Sequence, residues 1–118
     1  MQHGVVIQSF SPIVCAVAAI EAANLRVEFL SAPDLEKPEE WEGALRWCYL
    51  LNLDGFNTTS EAIDPGRLAL LHGADKTVAA WTINDRAAMR QLALWGVDAI
   101  ITDRPDFCLD VLREMGKR

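Results

Sequence analysis

An α/β fold built on a parallel sheet is predicted by three observations. Short apolar runs rich in β-branched and aromatic residues alternate with stretches of helical period along all 118 residues. Most helical stretches open on Pro or on a capping Ser, Asn or Asp. The segment from Thr77 to Asp106 reads as strand, helix, strand, a unit whose strands become parallel neighbours through a right-handed crossover.

The elements follow in order. Val5–Phe10 (VVIQSF) reads as a strand. Ser11 is an N-cap, and Pro12 takes the first helical position, where its missing N–H costs nothing. This helix is expected to reach about Asn24, with Ile13, Ala16, Val17 and Ile20 on one stripe that packs inward. Arg26–Leu30 is the second strand, and Ser31 to Lys37 a loop. Pro38 opens a helix to about Leu51, with Trp41, Ala44, Leu45 and Cys48 on a common face. Glu39, Glu40 and Glu42 in its first turn suit the positive end of the helix dipole.

Asp54-Gly55 is a stop signal, and Gly55–Thr59 a short third strand. Pro65 to about Ala74 is helical, with Leu68, Leu70 and Leu71 inward. Val78–Ile83 is the fourth strand. Asn84 and Asp85 cap a helix from Arg86 to Trp95, which Gly96 stops. Val97–Thr102 is the fifth strand. Asp103-Arg104-Pro105 caps a terminal helix to about Met115, with Phe107, Cys108, Val111, Leu112 and Met115 on one stripe. The tail from Gly116 to Arg118 is expected to fray. Residues 1–118 thus form a single domain with no linker and no repeat beyond the β/α unit. On this pattern alone, a five-stranded doubly wound sheet is favoured.

Two motifs move that expectation. Trp81–Asn84 (WTIN), followed by a helix ending in WGVDAIITDRPD (Trp95–Asp106), resembles the last two strands of the glycerophosphodiester phosphodiesterase family. Ser9-Phe10, closing a strand before a helix, resembles an earlier strand of the same family. The resemblance implies a partial, half TIM-type barrel, about strands four to eight, since a whole barrel takes roughly 250 residues. It implies a parent activity of metal-dependent hydrolysis of glycerophosphodiesters to glycerol 3-phosphate and an alcohol. The family's His-Arg-Gly motif, its Glu-x-Asp pair, its second His and its third-strand Glu before a Lys find no match here. No catalytic residue, no metal ligand and no cofactor is therefore expected in this chain. Mg²⁺ or Ca²⁺ belongs to the full-length family, and the isolated chain is expected to be inactive.

The resemblance leaves pocket lining. Trp81 matches the family Trp that walls the substrate site; a core aromatic is the other reading, and both stay open. Ser9, Phe10, Phe29 and Asn57 lie near the C-terminal ends of their strands, where they line the same mouth or serve core and capping. Asn84-Asp85 and Asp103-Arg104 occupy the last two strand-to-helix loops, where many TIM barrels bind phosphate through backbone N–H groups. Arg104 is the nearby cation. Asp64, Asp85, Asp103 and Asp106 fit helix caps better than cation ligation, which needs several convergent oxygens. His72 near a helix end suits the dipole, and His3-Gly4 lacks the Arg of the family motif and precedes a strand.

Composition sets the remaining bounds. Hydrophobic residues are 51% of the chain, the composition of a globular domain and not of a disordered chain. Eleven Lys and Arg against 17 Asp and Glu give −6, which argues against nucleic acid or an anionic membrane as partner. No run approaches the ~18 apolar residues of a membrane span. Ile13–Ile20 lacks the basic flank of a signal peptide. Cys15, Cys48 and Cys108 are widely spaced without CxxC, which reads as buried thiols in a reducing, cytoplasmic setting.

Val5–Phe10 and Val97–Thr102 would be apolar sheet edges without blunting Lys or Pro. Association with another copy, as a homo-oligomer, or with a complementary half-barrel is expected. A non-enzymatic oligomerising or partner-binding module is the alternative to the enzyme-family reading. A third reading rebuilds a site across an oligomer interface from Asp103, Arg104, Trp81 and Asn57.

Overall fold

The computed structural model describes residues 6–22 and 24–116. His3-Gly4, Val5 and the last two residues of the tail lie outside the described residues. The elements are β1 (Val6–Ser9), α1 (Pro12–Glu21), β2 (Arg26–Ser31), α2 (Pro38–Leu50), β3 (Gly55–Thr59), a 3₁₀ turn (Ser60–Ala62), α3 (Pro65–Gly73), β4 (Thr77–Trp81), α4 (Arg86–Trp95), β5 (Ala99–Ile100) and α5 (Pro105–Glu114).

The five strands form one parallel sheet in the order β1-β2-β3-β4-β5. A doubly wound sheet reverses its strand order at a switch point; this one never does. Strictly sequential parallel neighbours are what an arc of a TIM-type barrel has, so the doubly wound alternative is overturned and the half-barrel stands.

Local chemistry explains the helix ends. Ser11 accepts from the Val14 N–H, Asp64 from Arg67 N–H and Asp85 from Ala88 N–H. Gly96 ends α4 at φ +92°, a left-handed conformation that side chains rarely adopt. Two carboxylates stitch the opposite end of the sheet. Asp54 Oδ2 accepts from Val27 N–H at 2.8 Å, and Asp98 Oδ2 from Val78 N–H at 2.7 Å. Each immediately precedes its own strand and accepts from the second residue of the strand before it. The same Asp98 oxygen lies 2.8 Å from His72 Nε2, so His72 pairs with a side chain at the far end from the mouth.

The core lies between the convex face of the sheet and the helices. Val27, Phe29, Phe56, Val78 and Ala80 meet Cys15, Cys48, Leu68, Leu71, Met89, Leu92 and Val111 there. Phe56 stacks edge-on with Trp41 at 5.3 Å. The face predicted for α2 packs as expected, as does that of α5 apart from Leu112, which is not among the residues packed on the core.

Three expectations need correction. α1 stops at Glu21, and it buries Cys15 while Ala18 and Ala19 pack on the core. Ile13 is 76% exposed, Val17 53% and Ile20 78%, so the predicted inward stripe points out. Leu70 on α3 is likewise exposed. β5 is two residues long where six were expected, because an edge strand has one neighbour to fix it. Its hydrogen bonds still run further: Asp98 N–H to Val78 C=O, Ile101 N–H to Ala80 C=O, and Ile83 N–H to Ile101 C=O.

Candidate functional site

The period-two alternation of the strands puts Gln8, Arg26, Glu28, Asn57 and Thr77 on the concave face, where a barrel's interior would be. They form one polar layer. Asn57 Nδ2 donates to Glu28 Oε1 at 2.6 Å and to Gln8 Oε1 at 2.9 Å. Asn57 Oδ1 accepts from Ala79 N–H at 3.3 Å. Arg26 Nε bridges to Glu28 Oε2 at 3.1 Å, and its Nη2 donates to Thr77 Oγ1 at 2.8 Å. Gly55 lets this layer lie flat: a Cβ there would meet Glu28 Cγ and Thr77 Oγ1 at 2.8 Å.

Above that layer, towards the C-terminal ends of the strands, the concave face turns apolar. Gln8, Phe10, Leu30, Trp81, Thr82 and Ile101 line a shallow open cavity of about 260 Å³. Phe10 meets Trp81 edge-to-face, with ring centroids 5.5 Å apart and planes at 89°. One ring follows β1 and the other ends β4, so curvature of the sheet brings them together across two intervening strands. Trp81 Nε1–H is buried and has no partner among the described residues. The Thr58 hydroxyl is in the same position on the core side.

The five residues singled out from the sequence therefore separate. Trp81 and Phe10 share the mouth. Asn57 is 1% exposed and sits in the polar layer beneath it. Ser9 turns to the helix side, where its Oγ accepts from Ser11 N–H at 3.0 Å and orders the entry to α1. Phe29 is core.

The last two loops are tied by Asn84. Its Oδ1 accepts from Asp103 N–H at 2.9 Å and Thr102 Oγ1 at 3.1 Å, and its Nδ2 donates to Asp103 Oδ2 at 3.3 Å. Arg104 pairs with Asp106 and stacks on Phe107 at 3.7 Å; Arg86 covers the same ring at 4.0 Å. The side-chain hydrogen bond between them lowers the Asp106 carboxyl below its ordinary value and raises Arg104. Asp103 and Asn57 belong to separate networks, so the set Asp103, Arg104, Trp81 and Asn57 is not one cluster.

The donors among the described residues do not fit a divalent cation. Among the described residues no three His, Cys, Asp or Glu side chains converge. Asp64 and Asp85 cap helices, Asp103 is held by Asn84, and Asp106 by Arg104. All three cysteines are free thiols. Burial raises Cys15, and raises Cys48 to about 11 despite the Lys76 charge near it. Among the described residues no helix is long and apolar enough to cross a membrane.

Sequence reading missed Gln8, Arg26 and Glu28. For the second strand the signal was there: Arg26 and Glu28 at alternate positions of RVEFL mark a polar face opposite an apolar one, whereas Gln8 in VVIQSF has no such pattern.

Residues 2–107 match the model of the glycerophosphoryl diester phosphodiesterase family. Probable glycerophosphodiester phosphodiesterase 2 of Mycobacterium tuberculosis is 42% identical over 79 residues, covering 63% of this chain and 30% of that protein. Among solved structures, a Silicibacter pomeroyi protein assigned to the glycerophosphoryl diester phosphodiesterases superposes with TM-score 0.83 at 25% identity, over 95% of this chain and 39% of that one. An Oleispira antarctica phosphodiesterase in complex with the product sn-glycerol-3-phosphate gives TM-score 0.78 at 18% identity, over 95% of this chain and 44% of that one. The chain thus spans less than half the length of the relatives it matches.

Proposed function

The chain belongs to the glycerophosphoryl diester phosphodiesterase family, and we propose that it supplies the substrate-walling arc of such an enzyme and does not hydrolyse phosphodiesters alone. The contact that carries this reading is Phe10 against Trp81, an aromatic pair closing the mouth of the arc beside Leu30 and Ile101. Such a wall buries the carbon face of a small phosphodiester and excludes water from it. The unpartnered Trp81 Nε1–H offers a donor to a ligand oxygen. Asn57 supports the wall from beneath, and Ser9 fixes where Phe10 leaves its strand. Acid–base groups and Mg²⁺ or Ca²⁺ ligands would come from outside these residues, since the carboxylates here are engaged elsewhere.

Two measurements test this. The purified chain, given glycerophosphocholine with Mg²⁺ or Ca²⁺, should release no glycerol 3-phosphate; turnover by the pure protein would overturn the inactivity. The Trp81 indole N–H resonance should shift on adding glycerol 3-phosphate, and an unmoved resonance at saturating ligand would count against the wall.

A second reading has its own observation. β1 and β5 each have one paired side, and Val6 and Ile101 at those edges are exposed. As a non-enzymatic module, the chain would cover both edges with a complementary half-barrel or another copy. Residues 1–118 would then fold as one domain within that assembly. Three free thiols support placing it in a reducing compartment such as the cytoplasm.

A further inference from the structure

The mouth continues past Phe10. A second open groove, of about 350 Å³, runs between the end of β2 and the first turns of α2. Phe10 and Leu30 line both cavities, so the two are continuous through that pair. Phe10 is 57% exposed, and Trp47, which lines the groove from α2, is 44% exposed. Both rings therefore offer area to a ligand. Two charged residues line the groove, and both are acids: Glu39 and Glu40, in the first turn of α2. The helix dipole accounts for acids in a first turn, but not for two exposed aromatic rings in the same groove. Glu40 Oε1 accepts from Asp34 N–H at 3.0 Å, which orders that carboxylate. Its Oε2 lies 4.0 Å from Lys37 Nζ, an exposed pair that solvent screens. The Glu39 carboxylate has no partner among the described residues. Arg46 lines the next hollow along α2, not this one.

We propose that this groove takes a quaternary ammonium group, so that the enzyme to which this arc belongs prefers glycerophosphodiesters whose alcohol is of the choline type. The proposal rests on the mouth reading above. With glycerol phosphate against Trp81, the ester's alcohol passes over Phe10 into the groove. Aromatic faces attract a cation through the ring quadrupole, and its methyl groups pack on the same faces. The two carboxylates add charge of the opposite sign, and the chain as a whole carries −6. Hydrogen bonding selects between cations. A primary ammonium brings three donors, and the groove has one carboxylate free to accept them. A quaternary ammonium has no N–H to satisfy, so ring faces and nearby carboxylates are enough.

The test follows the indole N–H resonances of Trp47 and Trp81 in the 118-residue chain. Glycerol 3-phosphate should move Trp81 alone, and glycerophosphocholine should move both. The neutral ester in which carbon replaces the quaternary nitrogen should bind at least roughly threefold more weakly than glycerophosphocholine. A Glu39→Gln, Glu40→Gln chain should lose that preference and keep its affinity for glycerol 3-phosphate, since an amide oxygen still accepts from Asp34 N–H. Equal binding of the charged and neutral esters overturns the proposal. So does equal binding of glycerophosphoinositol, or a Trp47 resonance that stays still at saturating glycerophosphocholine. In each of those cases a Trp81 resonance that moves with glycerol 3-phosphate leaves the mouth reading standing. If Trp47 moves with glycerophosphocholine and Trp81 moves with neither ligand, the groove stands and the mouth reading falls.

Discussion

Replacing Asn57 by Ala removes the hub of the concave polar layer. The amide donates to the Glu28 carboxylate at 2.6 Å and to Gln8 at 2.9 Å. A hydrogen bond to a charged group is worth about 1.5–3 kcal/mol net and a neutral one about 1 kcal/mol. The 3.3 Å bond from Ala79 N–H adds little. Glu28 keeps Arg26, so it is not stranded. The expected loss is therefore about 3 kcal/mol, a large share of the ~5–15 kcal/mol by which domains are stable. Urea unfolding followed by circular dichroism and Trp fluorescence measures it, with an unchanged m-value as the check that the same transition is compared. In a double-mutant cycle, Asn57→Ala and Glu28→Ala together should cost less than their sum by about 1–2 kcal/mol. Asn57→Asp would set a second carboxylate beside Glu28. Two like charges that close repel, so this variant should lose more stability at neutral pH than at low pH. A loss under about 1 kcal/mol for Asn57→Ala, with additive cycles, would refute the reasoning and return Asn57 to the list of ligand-facing groups.

Gly55→Ala should destabilise by about 1–3 kcal/mol, because the new methyl would meet Glu28 and Thr77 at 2.8 Å; Glu28→Ala in the same chain should recover part of that in the same urea titration. Cys48 stays protonated to about 11 in the folded chain, against an ordinary 9.0. The unfolded chain loses that proton first, so stability is full below about pH 9 and falls as pH rises towards 11, on the order of 2 kcal/mol; Cys48→Ala should flatten the pH profile. Asn84→Ala should speed hydrogen exchange at Asp103 N–H at least tenfold while leaving β2 and β3 protected, since it unties one loop from another. The Asp106 carboxyl should titrate below its ordinary value by NMR and move up in Arg104→Ala, because losing the guanidinium removes its hydrogen bond.

Much of the frame was legible because each element obeyed one local rule. β3 and α4 fell on their expected bounds, where Asp54-Gly55 and the Asp85 cap and Gly96 stop leave little freedom. Strand order was not legible from the alternation of strands and helices, which a doubly wound sheet satisfies equally. It came from WTIN and GVDAIITDRP, and the structure gives those motifs physical content. Asn84 ties one loop to the next, and Asp98 caps the neighbouring strand. The mouth was half legible. Trp81 and Phe10 could be placed at strand ends, but Asn57 turns towards a partner 49 residues away, beyond any local pattern, while Ser9 turns to its local partner Ser11.

α1 shows why one helix resisted. Periodicity orients a helix only when one side is polar. Pro12–Glu21 (PIVCAVAAIE) is apolar all round except for its last residue, so the stripe of large residues and the stripe of small ones compete for the sheet. Size decides. Phe29 and Phe56 already fill the space behind the sheet, and small Cys15, Ala18 and Ala19 let the helix approach closely, with Cys15 Sγ 3.7 Å from Ser9 C=O. The β-branched side chains are then forced outward, where water cannot stabilise them. The outer stripe of Ile13, Val17 and Ile20 therefore takes no part in the packing that holds α1 to the sheet. Substituting the outer three by Glu, Lys and Gln should therefore leave the unfolding transition of the chain within about 0.5 kcal/mol at concentrations where it is monomeric, as surface changes do. If that triple variant instead lost several kcal/mol while monomeric, the outer stripe would be part of the fold's own core, and the orientation of α1 described here would be wrong.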